Sequence, residues 1–424
     1  MTAGNNHSTN GFRRPERRVT SNGRPGPRIA LYSHDTQGLG HIRRNLLISR
    51  ALCRQGRSPV ILLLSGLHEA TAFGMPAGVD CVTLPSLGKA VNGDYFPRSL
   101  DMPMADLIDV RRRAIAAVLR SFDPDVLIVD KVPRGIFDEL MPGIELLKAR
   151  GRTRFVLGLR EILDDPDTVM REWSSGEYDT AIRAYYDRIW IYGDREVYDP
   201  IIEYGLMPDI AKKVRFTGYL NPRDGEEDTI ARGPDPLEAR GADEGPLDLC
   251  VVGGGRDGLP LAEAFLKCRL PGEGVLVTGP LMPAESRERL QKLAAQRGSR
   301  RVLEFVTDPC PLFKRADRVI AMGGYNTICE IMAYRKRALI VPRAEPRTEQ
   351  LIRADRFARR GLLDVLHPDD LRPEALSSWI EATDPRSAAA EPAIDMGGFA
   401  RLPALLDEVL ATEQPDKEPT HAVC

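Results

Sequence analysis

Short, continuous apolar runs recur along the chain, each closed by glycine or a polar cluster, and alternate with stretches of helical periodicity. In the first half the runs cover residues 28–33, 60–64, 79–84, 126–130, 155–159, 188–192 and 214–219; in the second, 247–252, 275–279, 301–305, 318–321 and 338–341. Runs that are apolar throughout, and not every second residue, fit strands buried on both faces. Alternation with helices then predicts parallel sheets wrapped on both sides. The first predicted helix covers 42–54, with Ile42, Leu46 and Leu47 on an apolar side and Arg43 and Arg44 off it. Others run through Arg111, Arg112 and Arg113 to residue 122, from near Pro260, over 283–297, over 326–335 and, at the end, over 399–410. Residues 85–103 read as irregular.

The plan of strand, glycine loop and helix occurs twice, which gives the expected class: α/β, two Rossmann-like domains facing across a cleft. Residues 28–220 and 247–390 are the expected domains, separated by an acidic, proline-containing linker at 221–246. A terminal helix is placed in 391–412, and residues 413–424 read as a tail. Residues 1–27 read as a disordered basic tail, with Arg13, Arg14, Arg17, Arg18 and Arg24.

Composition changes this picture little. The 424 residues exceed one typical core. The net charge of −2 gives no global case for nucleic acid. The seven cysteines form no C-x-x-C pair, so the reading is of reduced thiols in a cytoplasmic protein. Arg111, Arg112 and Arg113 have two readings: a solvated helix face, or peripheral contact with an anionic membrane.

The candidate chemistry lies in three loops after predicted strands. The first holds Asp35, Gly38, Gly40 and His41. Glycines let a ligand approach the backbone, and imidazole at a helix start suits proton removal from a hydroxyl. Asp35 either orients His41, acts as the base itself or caps a turn; a capping or solvent-exposed role is open for His41 as well. The second loop, Gly253-Gly254-Gly255-Arg256-Asp257-Gly258, has the G-x-G-x-x-G spacing. The acid that holds a dinucleotide ribose is missing, because Gly279-Pro280 stands after the next strand. A phosphate-binding turn remains, with Arg256 adding charge. The third loop, Gly323-Gly324-Tyr325-Asn326-Thr327, opens a helix whose free N–H groups suit a phosphate. Glu330 has two readings there: capping-box partner of Thr327, or acceptor of a ribose diol. Further on, Glu349 and Gln350 are placed to bind sugar hydroxyls or simply to start a solvated helix. Asp165-Pro166-Asp167 has the D-x-D form of a metal-binding pair, but its place before a helix favours a cap.

Taken together, these motifs resemble the family 28 (MurG-like) glycosyltransferases of GT-B fold, in a branch of predicted bacterial enzymes. The resemblance is carried by Glu304-Phe305-Val306-Thr307-Asp308, Ala316-Asp317, the Gly324-to-Glu330 turn, Val341-Pro342, Glu349-Gln350 and, in the first half, the 38–44 loop with His41. It implies that the Val306 backbone reads uracil, Glu330 holds the ribose, Glu349 and Gln350 contact the donor sugar, and Gly254 and Gly255 approach the diphosphate. The family's paired glutamines stand here as Glu349-Gln350, so the donor sugar is left open. The expected function is a metal-independent, inverting transfer from a UDP-sugar to an acceptor hydroxyl on a glycan, a lipid-linked sugar or a small molecule. No cofactor beyond the UDP-sugar co-substrate is expected. The alternatives are a UDP-sugar hydrolase and a non-catalytic nucleotide-sugar-binding protein.

Overall fold

The computed structural model describes residues 26–34, 39–54, 58–68, 70, 73–89, 94–225, 236–237, 245–254, 257–382 and 394–411. The apolar runs of the first half form β1 (Arg28–Ser33), β2 (Val60–Ser65) and β3 (Val79–Thr83). A hairpin of β4 (Leu87–Lys89) and β5 (Tyr95–Pro97) follows, inside the stretch expected to be irregular. Then come β6 (Val126–Asp130), β7 (Arg154–Arg160), β8 (Arg188–Tyr192) and β9 (Val214–Phe216). Apart from the hairpin they make one seven-stranded sheet, in the order β3-β2-β1-β6-β7-β8-β9, with every pairing parallel. β6 is buried at all its positions, as a strand covered on both faces must be.

The second half repeats the plan with β10 (Leu247–Val251), β11 (Glu273–Val277), β12 (Arg300–Leu303), β13 (Arg318–Ala321), β14 (Arg337–Ile340) and β15 (Asp364–Val365). Their order is β12-β11-β10-β13-β14-β15, again parallel. Each sheet therefore reverses its winding at one place: between β1 and β6 in the first, between β10 and β13 in the second. Ligands of open parallel sheets bind outside the carboxyl ends of the strands at such a reversal. The loops singled out from the sequence follow β1, β10 and β13.

The two sheets are not insulated from each other. One apolar cluster runs from Ile29, Ile42 and Trp190 through Tyr219, Tyr325 and Phe357 to Leu247 and Val319. The helix Gly398–Ala411 returns to the first domain and adds Phe399, Leu402 and Leu406 to that cluster. Arg54 lies 5.0 Å above the Phe399 ring, and Glu408 accepts from Arg188 at 3.0 Å and from Arg215 at 2.6 Å.

Neither reading of the Arg111 run holds for Arg111 itself. It is fully buried and donates to both oxygens of Glu139 at 2.6 Å and to the Pro85 carbonyl at 2.5 Å. Arg113 is the solvated one. Among the described residues no helix is long and apolar enough to cross a membrane.

Candidate active site

The helix Gly40–Cys53 begins beside the first reversal, with no side chain capping its N-terminus. His41 sits in its first turn, and its Nδ1 lies 2.8 Å from Oδ2 of Asp130, the last residue of β6. One turn on, Arg44 donates to the Asp130 oxygens at 2.6 and 2.5 Å. The same Arg44 nitrogen is also 2.9 Å from His41 Nδ1, and only one of the two close atoms can be a true hydrogen-bond partner of that ring nitrogen. Arg44 can only donate, and an ionised carboxylate can only accept. Arg44 is already directed at Asp130, so the consistent tautomer carries its hydrogen on Nδ1 and gives it to Asp130. That leaves the Nε2 lone pair as a proton acceptor.

Burial works against a charge on Asp130, yet Arg44 and His41 outweigh it and hold its carboxyl well below the usual range. Arg44 is itself buried, with its guanidinium 5.6 Å from the Tyr192 ring and 5.7 Å from the Tyr325 ring of the opposite domain. His34 packs its ring 5.2 Å from that of His41, and burial pushes its pKa well down, so it stays neutral.

Across the cleft, β13 leads into the turn at Gly323, whose φ of +82° suits glycine, and where a Cβ would stand 2.8 Å from Ile340 Cγ2. The helix Tyr325–Ala333 starts with Gly324 as its cap and no side-chain capping bond. The capping-box reading of Thr327 and Glu330 is therefore overturned. Asn326 does not cap either; it donates across the cleft to the Gly40 carbonyl at 3.1 Å. Thr327 is buried at the same helix start. Glu330 is 2% exposed and forms an ion pair with Arg43 of the first domain. Burial raises its pKa, and Arg43 limits the rise.

After β10, Gly253 has a φ of +64° and leads to Gly254, whose carbonyl accepts from Leu281 N at 3.0 Å. A Cβ on Gly279 would lie 2.2 Å from the Gly253 carbonyl oxygen. Gly279 thus replaces the missing ribose acid for a packing reason: the glycine loop rests directly on it. Val306 is half-buried in the loop after β12, beside Phe305, which meets Phe73 of the first domain edge-on at 5.8 Å. Asp35, Gly38, Gly255 and Arg256 lie outside the described residues.

Glu349 opens the helix Glu349–Ala358, but its carboxylate already has partners. Arg160, at the end of β7, reaches it at 2.8 Å and Arg343 at 3.5 Å. Against the effect of burial, Arg160, Arg353 and Lys131 pull its pKa down to about 2. The Gln350 side chain accepts from Arg343 N at 3.0 Å. In the D-x-D stretch, Asp165 caps the helix Pro166–Ser175 by accepting from Thr168 N at 3.0 Å. Asp164 holds Arg347 at 2.8 Å and Thr348 N at 2.9 Å, again across the cleft.

The sequence reading missed Asp130, the pairing roles of Arg43 and Arg44, and Lys131. One signal was present: an acidic residue ending a wholly apolar run, where the carboxyl end of a parallel strand meets ligands.

Residues 249–401 match the family model described as "Glycosyltransferase family 28 C-terminal domain". This part of the chain is similar to that domain. It carries the Gly254 turn, Val306, the Glu330 helix and Glu349-Gln350. Among curated relatives, the UDP-N-acetylglucosamine--N-acetylmuramyl-(pentapeptide) pyrophosphoryl-undecaprenol N-acetylglucosamine transferase of Glaesserella parasuis is 26% identical over 171 residues. That alignment spans 40% of this chain and 48% of that protein, so the likeness in sequence reaches about half of the relative. Solved structures extend the likeness in fold to the whole molecule. Acinetobacter baumannii MurG superposes with a TM-score of 0.52 at 15% identity, over 90% of this chain and 99% of that one. A putative UDP-N-acetylglucosamine 2-epimerase from Listeria monocytogenes gives 0.60 at 13% identity, over 93% and 99%. The domain matched by this model and the domain carrying His41 together have the GT-B fold.

Proposed function

We propose that the protein is an inverting, metal-independent glycosyltransferase that uses a UDP-sugar. The observation that carries the reading is the single helix Gly40–Cys53, which holds His41 against Asp130 and, two residues on, sends Arg43 to Glu330 of the second domain. A proton acceptor and the donor domain are thereby held at one gap.

In this mechanism Glu330 accepts the ribose hydroxyls once Arg43 moves off it. The glycine turn after β10 and the uncapped start of the Tyr325–Ala333 helix receive the diphosphate. Arg43, released from Glu330, stays close enough to add positive charge to the leaving group, the part a divalent metal plays in other enzymes. His41 Nε2 removes the proton from the acceptor hydroxyl. The oxygen attacks the anomeric carbon from the face opposite UDP, the bond to the diphosphate breaks, and configuration inverts. Asp130 steadies the imidazolium that forms. The hairpin β4–β5 belongs to the first domain, and in this reading it offers the acceptor a docking wall, which a reaction with water does not need.

Thermal shift with nucleoside diphosphates tests the donor assignment. UDP at 100 times its Kd should stabilise the protein by roughly 2.7 kcal/mol. Glu330→Ala should lose that shift and keep the fold. No stabilisation by UDP, or an equal one by every nucleotide, overturns the reading. Release of UDP from a UDP-sugar at the same rate with and without acceptors reassigns the protein as a hydrolase.

A further inference from the structure

Around the start of the helix Glu349–Ala358 the cleft is lined by cations from both domains. Lys131 follows Asp130 at the end of β6, with a backbone φ of +71°, and Arg160 ends the neighbouring β7. Arg343 and Arg347 come from the loop that enters the helix. Most are matched: Arg347 by Asp164 and Glu172, Arg343 by Asp257 at 3.2 Å, Arg160 by Glu349 at 2.8 Å. The Lys131 ammonium has no ion-pair or hydrogen-bond partner among the described residues, although its backbone N–H donates to the Gly158 carbonyl at 2.9 Å. Burial, together with Arg160, depresses its pKa to about 8, and Glu349 only partly opposes them. Arg347 and Glu172 also act on it, and its charge is felt by His34. Lys131 is thus the cation of this group that no carboxylate pairs directly, while its arginine neighbours are matched.

Arg160 shows how a carboxylate is held in this part of the cleft. Arg160 already holds a carboxylate in a two-pronged way, with the Glu349 oxygens at 2.8 and 3.3 Å. Planar guanidinium forks match carboxylates in this manner. Lys131 stands one residue from the carboxylate that positions His41, so an anion bound there belongs to a group at the reacting centre.

We propose that Lys131 and Arg160 form a subsite for a carboxylate carried by a sugar at the reacting centre, so that one of the two substrates is a uronic acid. The inference rests on the UDP-sugar reading and narrows it. The pairing of Arg160 with Glu349 of the donor domain favours the donor sugar as the bearer.

Calorimetric titration of the full chain at constant ionic strength separates the possibilities. In the donor arm, UDP-glucuronic acid is compared with UDP-glucose. In the acceptor arm, UDP-saturated protein is titrated with free glucuronic acid and with glucose. The expected result is a preference of about tenfold or more for the acidic compound in one arm, from one added charge-assisted contact. In Lys131→Met that preference should fall towards equality, with UDP as the reference ligand for both proteins. Equal affinity for acidic and neutral compounds in both arms, with UDP binding intact, overturns the subsite alone. Failure of UDP to bind overturns the nucleotide-sugar reading and the subsite with it.

Discussion

Asp130 does two things with one carboxylate: it orients His41 and it neutralises Arg44, both in a place with almost no water. Changing it to asparagine keeps the shape but removes the charge. The amide no longer enforces a hydrogen on Nδ1 of His41, and Arg44 is left buried without a counter-ion. Asp130→Asn should therefore lower kcat by on the order of a hundredfold or more. It should also cost about 3–5 kcal/mol of stability, the range for a broken buried pair. Because Asp130 acts through His41, the KM for the donor should change little; a rise in KM with kcat intact would assign Asp130 to donor binding instead. At this scale the sequence was half legible. His41 and Glu330 were recognised by the loops that carry them. Their partners were not, because Asp130 is 89 residues from His41 and Arg43 is 287 from Glu330. No local pattern encodes a pairing that only the sheet order creates.

Among the elements, the helix Glu349–Ala358 joins the domains through several ion pairs at once. Its start reads from sequence as a possible sugar contact, yet most of its polar face meets the first domain. Arg353 is fully buried and donates to Glu161 at 2.7 Å, while Arg356 donates to Glu203 at 2.6 Å. Glu161 is buried too, against Gly193 and near the Tyr219 hydroxyl, at 3.4 Å. A buried pair is weak support for stability as a whole, but breaking half of it is costly. Arg353→Met alone should destabilise by about 3–5 kcal/mol in urea unfolding. Combined with Glu161→Leu, most of that loss should return. If the double variant is no better than the single one, the two residues are not coupled and the helix is held by its other bonds. The periodicity of this stretch showed that a helix is present. It could not show which face is buried, because arginine on a helix normally reads as solvated; Arg111 is the same case on another helix.

At the scale of the whole molecule, the two domains share one apolar cluster, and the chain's last described helix closes it on the first domain. Asp395 continues that return, with its backbone N–H donating to Asp194 at 2.8 Å and its carbonyl accepting from Tyr219 N at 2.7 Å. A chain ending at residue 393 should thus expose the apolar surface under Phe399 and Leu402 and lose stability in both domains together. Increased binding of a hydrophobic dye and a single, lowered urea transition would show it. Two separate transitions, with one unchanged from the full chain, would mean that the domains stand alone.

By itself the sequence determined the elements and their class. Continuous apolar runs between amphipathic stretches have few solutions other than buried parallel strands with helices on both faces, and glycine loops after such strands mark where ligands approach. These are local properties, written in neighbouring residues. Tertiary structure alone decided the charges. It brought Asp130 to His41, Arg43 to Glu330 and Arg160 to Glu349, and it set Lys131 among them without an ion pair. Whether a charged side chain is solvated, paired or waiting for a ligand depends on what a distant segment places beside it. That is fixed by the order of strands in the sheets and by how the two domains meet, not by the residues next to it in the chain.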